Sequence, residues 1–351
     1  MEGLWFTVTL VVVLFLICLG GAAYETWMER KVAALMQDRI GPSRAGKFGL
    51  LQPLCDGGKL FFKEDFIPRN AEKWLFIVAP GVLMLIALST GAVIPWGKSL
   101  FIGGVSYPVQ VASIDVGVLY IMGIVSIGVY GIMLGGWASN NKYSLLGAIR
   151  ASSQMISYEL AMGLSLLSII MMSGTLDLRV MVEQQATNLY GISFLNGMAW
   201  NVFYQPLAFV LFVTCSFAEL NRAPFDLAEC ESELVGGFHT EYSSMKFGTF
   251  LFAEYINMFI NSALISTLFF GGYSFPYMNK LVESGVGENW IGIISILCFL
   301  LKIVFCIFCF MWVRWTLPRF RYDQLMRLGW RIMIPLAILN LLITATIVVF
   351  S

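Results

Sequence analysis

Runs of about twenty apolar residues, each closed by a polar or charged stretch, recur along the whole chain. They lie near 4–27, 74–96, 114–138, 152–173, 201–219, 247–272, 290–313 and 331–350. A helix of about 20 residues spans a hydrocarbon core of roughly 30 Å. The pattern therefore predicts an all-α polytopic membrane protein of about eight transmembrane helices, forming one integral membrane domain over 1–351. The longer polar linkers on one side fall at 28–73, 139–151, 220–246 and 314–330. No internal repeat, low-complexity tract or soluble domain interrupts this pattern.

The first linker is patterned in its own right. GPSRAG, from Gly41 to Gly46, is turn-forming sequence. After it, Leu51, Leu54, Gly58, Phe61 and Phe62 recur at helical spacing, with Asp56, Lys59 and Lys63 on another face. This predicts one or two short amphipathic helices lying in the membrane interface, with Gly57 and Gly58 as the place where such a helix could break.

Composition agrees with a membrane chain. Of 351 residues, 58% are hydrophobic and 13% charged, against about 25% charged in an average soluble domain. Net charge is zero, so the distribution of charge is the informative quantity. Eighteen of the 22 Lys and Arg residues fall in the odd-numbered linkers and three in the even ones, with Lys302 inside a span. Basic residues stay on the cytoplasmic side. Both termini are therefore expected on the periplasmic side of a bacterial inner membrane, with a retained first span rather than a cleaved signal, because no basic segment precedes it.

Three ionisable side chains within the spans are singled out: Glu159, Glu254 and Lys302. Each costs about 2.5–3.5 kcal/mol at a helix centre on insertion scales. Asn257 and Asn261 share a helix face with Glu254. That stripe reads either as a hydrated proton path or as a hydrogen-bonded seam between helices.

A second concentration of chemistry is FAELNRAPFDLAECESELVGGFHTEY, from Phe217 to Tyr242. It holds Glu219, Asp226, Glu229, Glu231, Glu233 and Glu241, and only Arg222 and His239 offset them locally. Glu229 and Glu233, four apart, would share a helix face, and like charges so placed raise each other's pKa. Carboxylates poised near neutrality suit proton transfer. A solvated acidic loop or a divalent-cation site are the alternatives, although apolar residues are interleaved throughout and no Ca²⁺-loop pattern is present.

Arg30, Lys31, Arg39, Lys59 and Lys63 could bind a phosphate or an anionic head group, or simply anchor the chain. Those near Phe61 and Phe62 would suit a lipid-tailed ligand. The last linker, RWTLPRFRYDQLMRLGWR, reads as an interfacial anchor. Cys306 and Cys309 read as helix packing rather than as ligands of a cluster. With one histidine, His239, a bis-histidine haem site or a histidine relay within this chain is excluded. No nucleophilic triad, phosphate loop or dinucleotide fingerprint is present, and no nucleic-acid partner is expected.

Three segments carry a resemblance: Glu29 to Asp65, the acidic segment, and RWTLPRFRYDQLM from Arg314 to Met326. Together they resemble the H subunit (subunit 1 in mitochondrial naming) of proton-pumping NADH:quinone oxidoreductase, respiratory complex I. The resemblance runs nearly end to end. It implies a membrane-arm subunit that forms part of the quinone chamber and couples quinone reduction to proton translocation, within an enzyme complex. The quinone, ubiquinone or menaquinone, is the implied substrate. FMN and iron–sulfur clusters are implied only on partner subunits. The implied partners are the other membrane-arm and peripheral-arm subunits, with membrane lipids around them.

Carried over by position, Arg30, Lys31, Arg39, Asp56 and Lys59 would surround the quinone entrance and chamber. Arg222, Phe225, Asp226, Glu229, Glu231 and Glu233 would form the loop beside it, and Glu159, Glu219 and Glu254, together with Glu229, Glu231 and Glu233 of that loop, would lie on the proton path. Cys55 and Cys230 stand where Ala and Gly are expected. An ion-pumping subunit of a membrane-bound hydrogenase or ferredoxin-linked complex is the alternative, and a stand-alone secondary transporter a more distant one.

Overall fold

The computed structural model describes residues 2–102, 104–186, 199–228, 235–276, 278, 281 and 287–350. Among these residues, seven helices are long and apolar enough to cross a membrane. α1 (Glu2–Met36), α3 (Lys73–Thr90), α4 (Gly117–Ala138) and α5 (Lys142–Ser173) form the first half. α9 (Ser244–Phe269), α10 (Glu288–Thr316) and the run Tyr322–Phe350 complete the set. That last run consists of α11 (Tyr322–Leu328), a π turn at Gly329–Met333, and α12 (Ile334–Phe350).

The expected span over 201–219 is divided. Asn201–Tyr204 forms one turn, α7, and Pro206 opens a separate α8, Pro206–Glu219, of 14 residues. Proline suits a first helical turn but cannot donate back into a preceding one. Fourteen residues rise about 21 Å, short of a hydrocarbon core. α8 packs against α5, and α12 covers the same helix.

Several helices reach beyond the apolar runs. α1 continues eight residues past the basic threshold, through Glu29, Arg30 and Lys31, before Asp38 turns to φ 50° and the Arg39 amide closes on the Ala34 carbonyl at 2.9 Å. α5 starts at Lys142, capped by the Asn141 side chain accepting from the Tyr143 amide at 3.0 Å. It ends at Gly174, whose φ of 67° is the left-handed cap. The expected linkers over 139–151 and 314–330 are thus mostly helical.

Between α1 and α3 the chain forms α2, Gln52–Phe62, unbroken through Gly57 and Gly58. It is the expected amphipathic helix, with Phe61 and Phe62 exposed and no buried residue. A two-stranded antiparallel hairpin was not foreseen: β1 (Gly97–Ile102) pairs with β2 (Val105–Val109), and Asn289 at the start of α10 clamps Phe101 through both its amide and its carbonyl.

α9 is the central helix, with a buried side chain at nearly every position of its second half. It packs against α1, α3 and α10, so every face meets protein. Its far end is closed by side chains from elsewhere. Gln185 of α6 (Leu178–Ala186) donates to the Thr267 carbonyl, and Asn201 donates to Leu268. Lys302 of α10 donates to the carbonyls of Phe270, Gly272 and Ser274 at 2.7, 2.7 and 2.5 Å. This accounts for a lysine inside a span: its ammonium holds the cap carbonyl of α9 and two carbonyls of the turn that follows it.

Candidate functional site

The site lies where the basic end of the bundle meets α2. A cavity of about 330 Å³ opens between α1, α2 and α9. Its polar wall is Glu29 and Arg30 from α1, Asp56 and Lys59 from α2, and Tyr255 from α9. Its apolar wall includes Leu60, Phe247, Leu251 and Phe252. Helical spacing aligns Pro53, Asp56, Gly57 and Leu60 on the one face of α2 that looks into the cavity, leaving Phe61 and Phe62 outside. Arg30 pairs with Asp56 at 2.7 Å and so ties α2 to α1. The Ser244 hydroxyl, donating to the Leu60 carbonyl at 3.0 Å, ties α2 to the start of α9.

Behind Glu29 the cavity wall becomes a buried charge cluster. Glu29 contacts Arg314 of α10 as an ion pair, lies 3.7 Å from the Arg222 guanidinium, and accepts the Tyr255 hydroxyl at 2.9 Å. Arg222 sits over the Tyr255 ring, 4.4 Å from its centroid, and 3.9 Å from Glu254. Glu29, Arg222 and Glu254 each expose 8% or less of their surface. Charges so buried are held only when paired and hydrogen-bonded.

The loop that presents Arg222 is fixed from below. Gln154 of α5 donates to the carbonyls of Ala218 and Phe225, both at 2.7 Å. The Phe320 amide donates to the Pro224 carbonyl at 2.9 Å. Phe225 is buried between Tyr158 and Phe320. Asp226, also buried, pairs with Arg319 at 2.6 Å. Further along, Tyr242 stacks on Phe76 with centroids 4.0 Å apart. Burial pushes its phenol above the ordinary tyrosine value, so it remains an O–H donor to the Gly135 carbonyl.

Among the described residues, the carboxylates expected on a proton path fall into two groups. Glu254 belongs to the cluster just described. Glu159 accepts from Ser126 of α4, and Glu219 lies beside Asn261 of α9 and within electrostatic range of Glu159. A water-sized cavity of about 20 Å³, otherwise apolar, touches both Glu219 and Asn261. One water fits such a volume. Asn261 stands two turns from Glu254 on the same helix, so α9 carries one polar stripe from the first group to the second.

Of the residues expected around a quinone, Arg30, Asp56 and Lys59 line the cavity, and Arg222 lies directly behind it. Lys31 and Arg39 do not line it, and Arg39 is exposed and bonded to Gln37 at 2.7 Å. Phe225 and Asp226 do not line it; they pack or pair with Tyr158, Phe320 and Arg319. Glu229, Glu231 and Glu233 lie outside the described residues.

Sequence reasoning missed two acids, Glu25 and Glu29. Both follow an apolar run at helical spacing, and Glu25 lies within the first predicted span, so the signal was present. It also read the last linker as an anchor. Arg314 and Arg319 instead supply the counter-charges for Glu29 and Asp226.

The NADH dehydrogenase family matches residues 8–345. An H subunit of NADH-quinone oxidoreductase from Cytophaga hutchinsonii is 61% identical over 95% of this chain and 94% of its own length. The H subunit from Flavobacterium johnsoniae is 58% identical over 96% and 93%. An H subunit from Geobacter metallireducens is 49% identical over 96% and 94%. A membrane-spanning helical chain with this end-to-end similarity belongs to the family of NADH-quinone oxidoreductase H subunits.

Proposed function

We propose that this subunit forms part of a quinone-binding chamber and couples quinone reduction to proton translocation along its carboxylates. The observation that carries the reading is the double position of Glu29. It lines the cavity, and it is bonded into the buried cluster of Arg222, Arg314 and Tyr255 that continues to Glu254. The cavity has the chemistry of a site for a lipid-tailed ring: an apolar wall along α9 and a polar mouth of Arg30, Asp56 and Lys59. The basic end lies on the cytoplasmic side and both termini on the periplasmic side, as the charge distribution favours.

Electrons would arrive from NADH through the flavin and iron–sulfur clusters of partner subunits. Reduction of a quinone to a quinol takes two electrons and two protons, so negative charge builds in the cavity until protons follow. Arg30 and Lys59 stabilise that charge. The same charge favours protonation of carboxylates facing it, and Glu29 faces it. Any change at Glu29 alters the field at Arg222 and Glu254, and protons redistribute along the stripe through Asn261 to Glu219 and Glu159. Glu229, Glu231 and Glu233 would contribute from the adjoining loop.

Glu159→Gln and Glu233→Gln in the assembled oxidoreductase test this. Vesicles are expected to show slowed NADH:quinone turnover and weakened lumen acidification in each variant. Wild-type turnover and proton stoichiometry in both would sink the role given to these carboxylates.

A further inference from the structure

Glu25 is one turn inward of Glu29 on α1, about 6 Å along the axis. It is 4% exposed. Both its carboxyl oxygens are buried, and neither has a hydrogen-bond partner among the described residues. It lies within electrostatic range of Arg222 and Glu29. The neighbouring acids are placed differently: Glu29 has Arg222, Arg314 and the Tyr255 hydroxyl, and Glu254 has Arg222. Among the described residues the cluster thus sets three carboxyl groups against two guanidiniums. Two of the three take the ion pairs, and one negative charge is left without a partner. Holding that charge in a buried site is costly, and a bound proton removes the cost.

We propose that Glu25 is a proton store for the quinone cavity. It holds the proton that balances the cluster and exchanges it with Glu29. In the forward step the Glu25 O–H bond breaks, an O–H bond forms on the Glu29 carboxylate, and Glu25 becomes the anion beside Arg222. The reverse step reloads it, and no electron moves. Beyond Glu25 the same helix face offers Cys18 and Leu14, which border an apolar cavity of about 200 Å³. Glu25 is therefore the inner end of this branch, a store rather than a conduit. The groups that set its balance are Glu29 and Cys18 on α1 and Arg222 from the loop after α8. Tyr255 and Glu254 of α9 and Arg314 of α10 act around them. The inference rests on the proposed quinone cavity.

The test is Glu25→Gln, with Glu25→Asp beside it, in the assembled oxidoreductase. Infrared difference spectra between the oxidised and NADH-reduced complex read protonated carboxyl groups directly. A carboxyl C=O signal is expected to disappear in Glu25→Gln and to shift in Glu25→Asp. NADH:quinone turnover should fall several-fold in Glu25→Gln at alkaline pH, where protons are scarce, and much less at acid pH, with partial recovery in Glu25→Asp. An unchanged carboxyl spectrum overturns the proposal. So does a lost signal with a wild-type pH profile, since the proton would then be held but not used. If Glu25→Gln fails to assemble, the Glu25→Asp spectrum decides alone: an unshifted band overturns the store. Wild-type vesicles that oxidise NADH without acidifying their lumen would sink the coupling reading, while the infrared signal would still report on Glu25.

Discussion

Glu29 shows how much one residue depends on its surroundings. In sequence it is the second acid, after Glu25, at the end of an apolar run, an ordinary place for a helix to leave a membrane. In the folded chain it is buried, with two arginines and a tyrosine hydroxyl around it. Removing one member of such a set leaves an uncompensated buried charge, which costs about 3–5 kcal/mol. Arg222→Met is therefore expected to lower the thermal transition of the purified complex clearly. Arg222→Lys should lower it less, keeping the charge but losing the planar fork and its stacking on Tyr255. An unchanged transition in Arg222→Met would show that Glu29 and Glu254 do not rely on it. Asp226 and Arg319 form a simpler pair, with Asp226 buried and Arg319 partly exposed. A double-mutant cycle of Asp226→Asn and Arg319→Gln is expected to give a coupling energy above about 0.5 kcal/mol in denaturation of the complex. A value near zero would leave the pair without a role in holding the loop.

At the scale of elements, close helix–loop contact decides where the charges sit. Gly147 of α5 faces the backbone of Gly237 and Phe238, and a Cβ added there would lie 2.9 Å from the Gly237 carbonyl carbon. Gly147→Ala must push this loop away from α5, at about 1–3 kcal/mol of the kind overpacking causes. It should also reduce quinone-linked turnover, because the same loop belongs to the acidic segment. Normal stability and turnover would show that the loop adjusts freely. The far end of α9 makes a second case. Lys302→Met would leave the carbonyls of Phe270, Gly272 and Ser274 without their ammonium donor, a loss of at least about 2 kcal/mol. Hydrogen exchange at the amides of Phe270 and Gly272 should accelerate, and unchanged protection there would contradict the capping role. The sequence marked Lys302 as an expensive residue but could not say why it was there, because its acceptors lie 28–32 residues away.

At the scale of the whole molecule, apolar run length was enough to read a helical membrane protein with most of its long apolar helices, and helical spacing was enough to read the amphipathic helix α2. These depend on local quantities: a helix must satisfy its own backbone in lipid, and an apolar run of a given length spans a given thickness. The same local rules misplaced helix ends wherever tertiary contacts extend a helix past its apolar run, as at Glu29–Met36 and Lys142–Ala151. They also merged α7 and α8 across Gln205–Pro206. The acids on α9, α5 and α8 were legible because an ionisable residue in an apolar run stands out. Their pairings were not. Arg314 meets Glu29 from almost the opposite end of the chain, and Arg319 meets Asp226 across the loop. Electrostatics acts through space, so no spacing along the chain encodes which arginine neutralises which acid. The sequence by itself therefore determined the membrane class, the family and the residue types that chemistry here can use. Only the tertiary structure decided that α1, α2 and α9 enclose a cavity, that Glu29 joins it to the buried cluster, and that Glu25 is the acid left over.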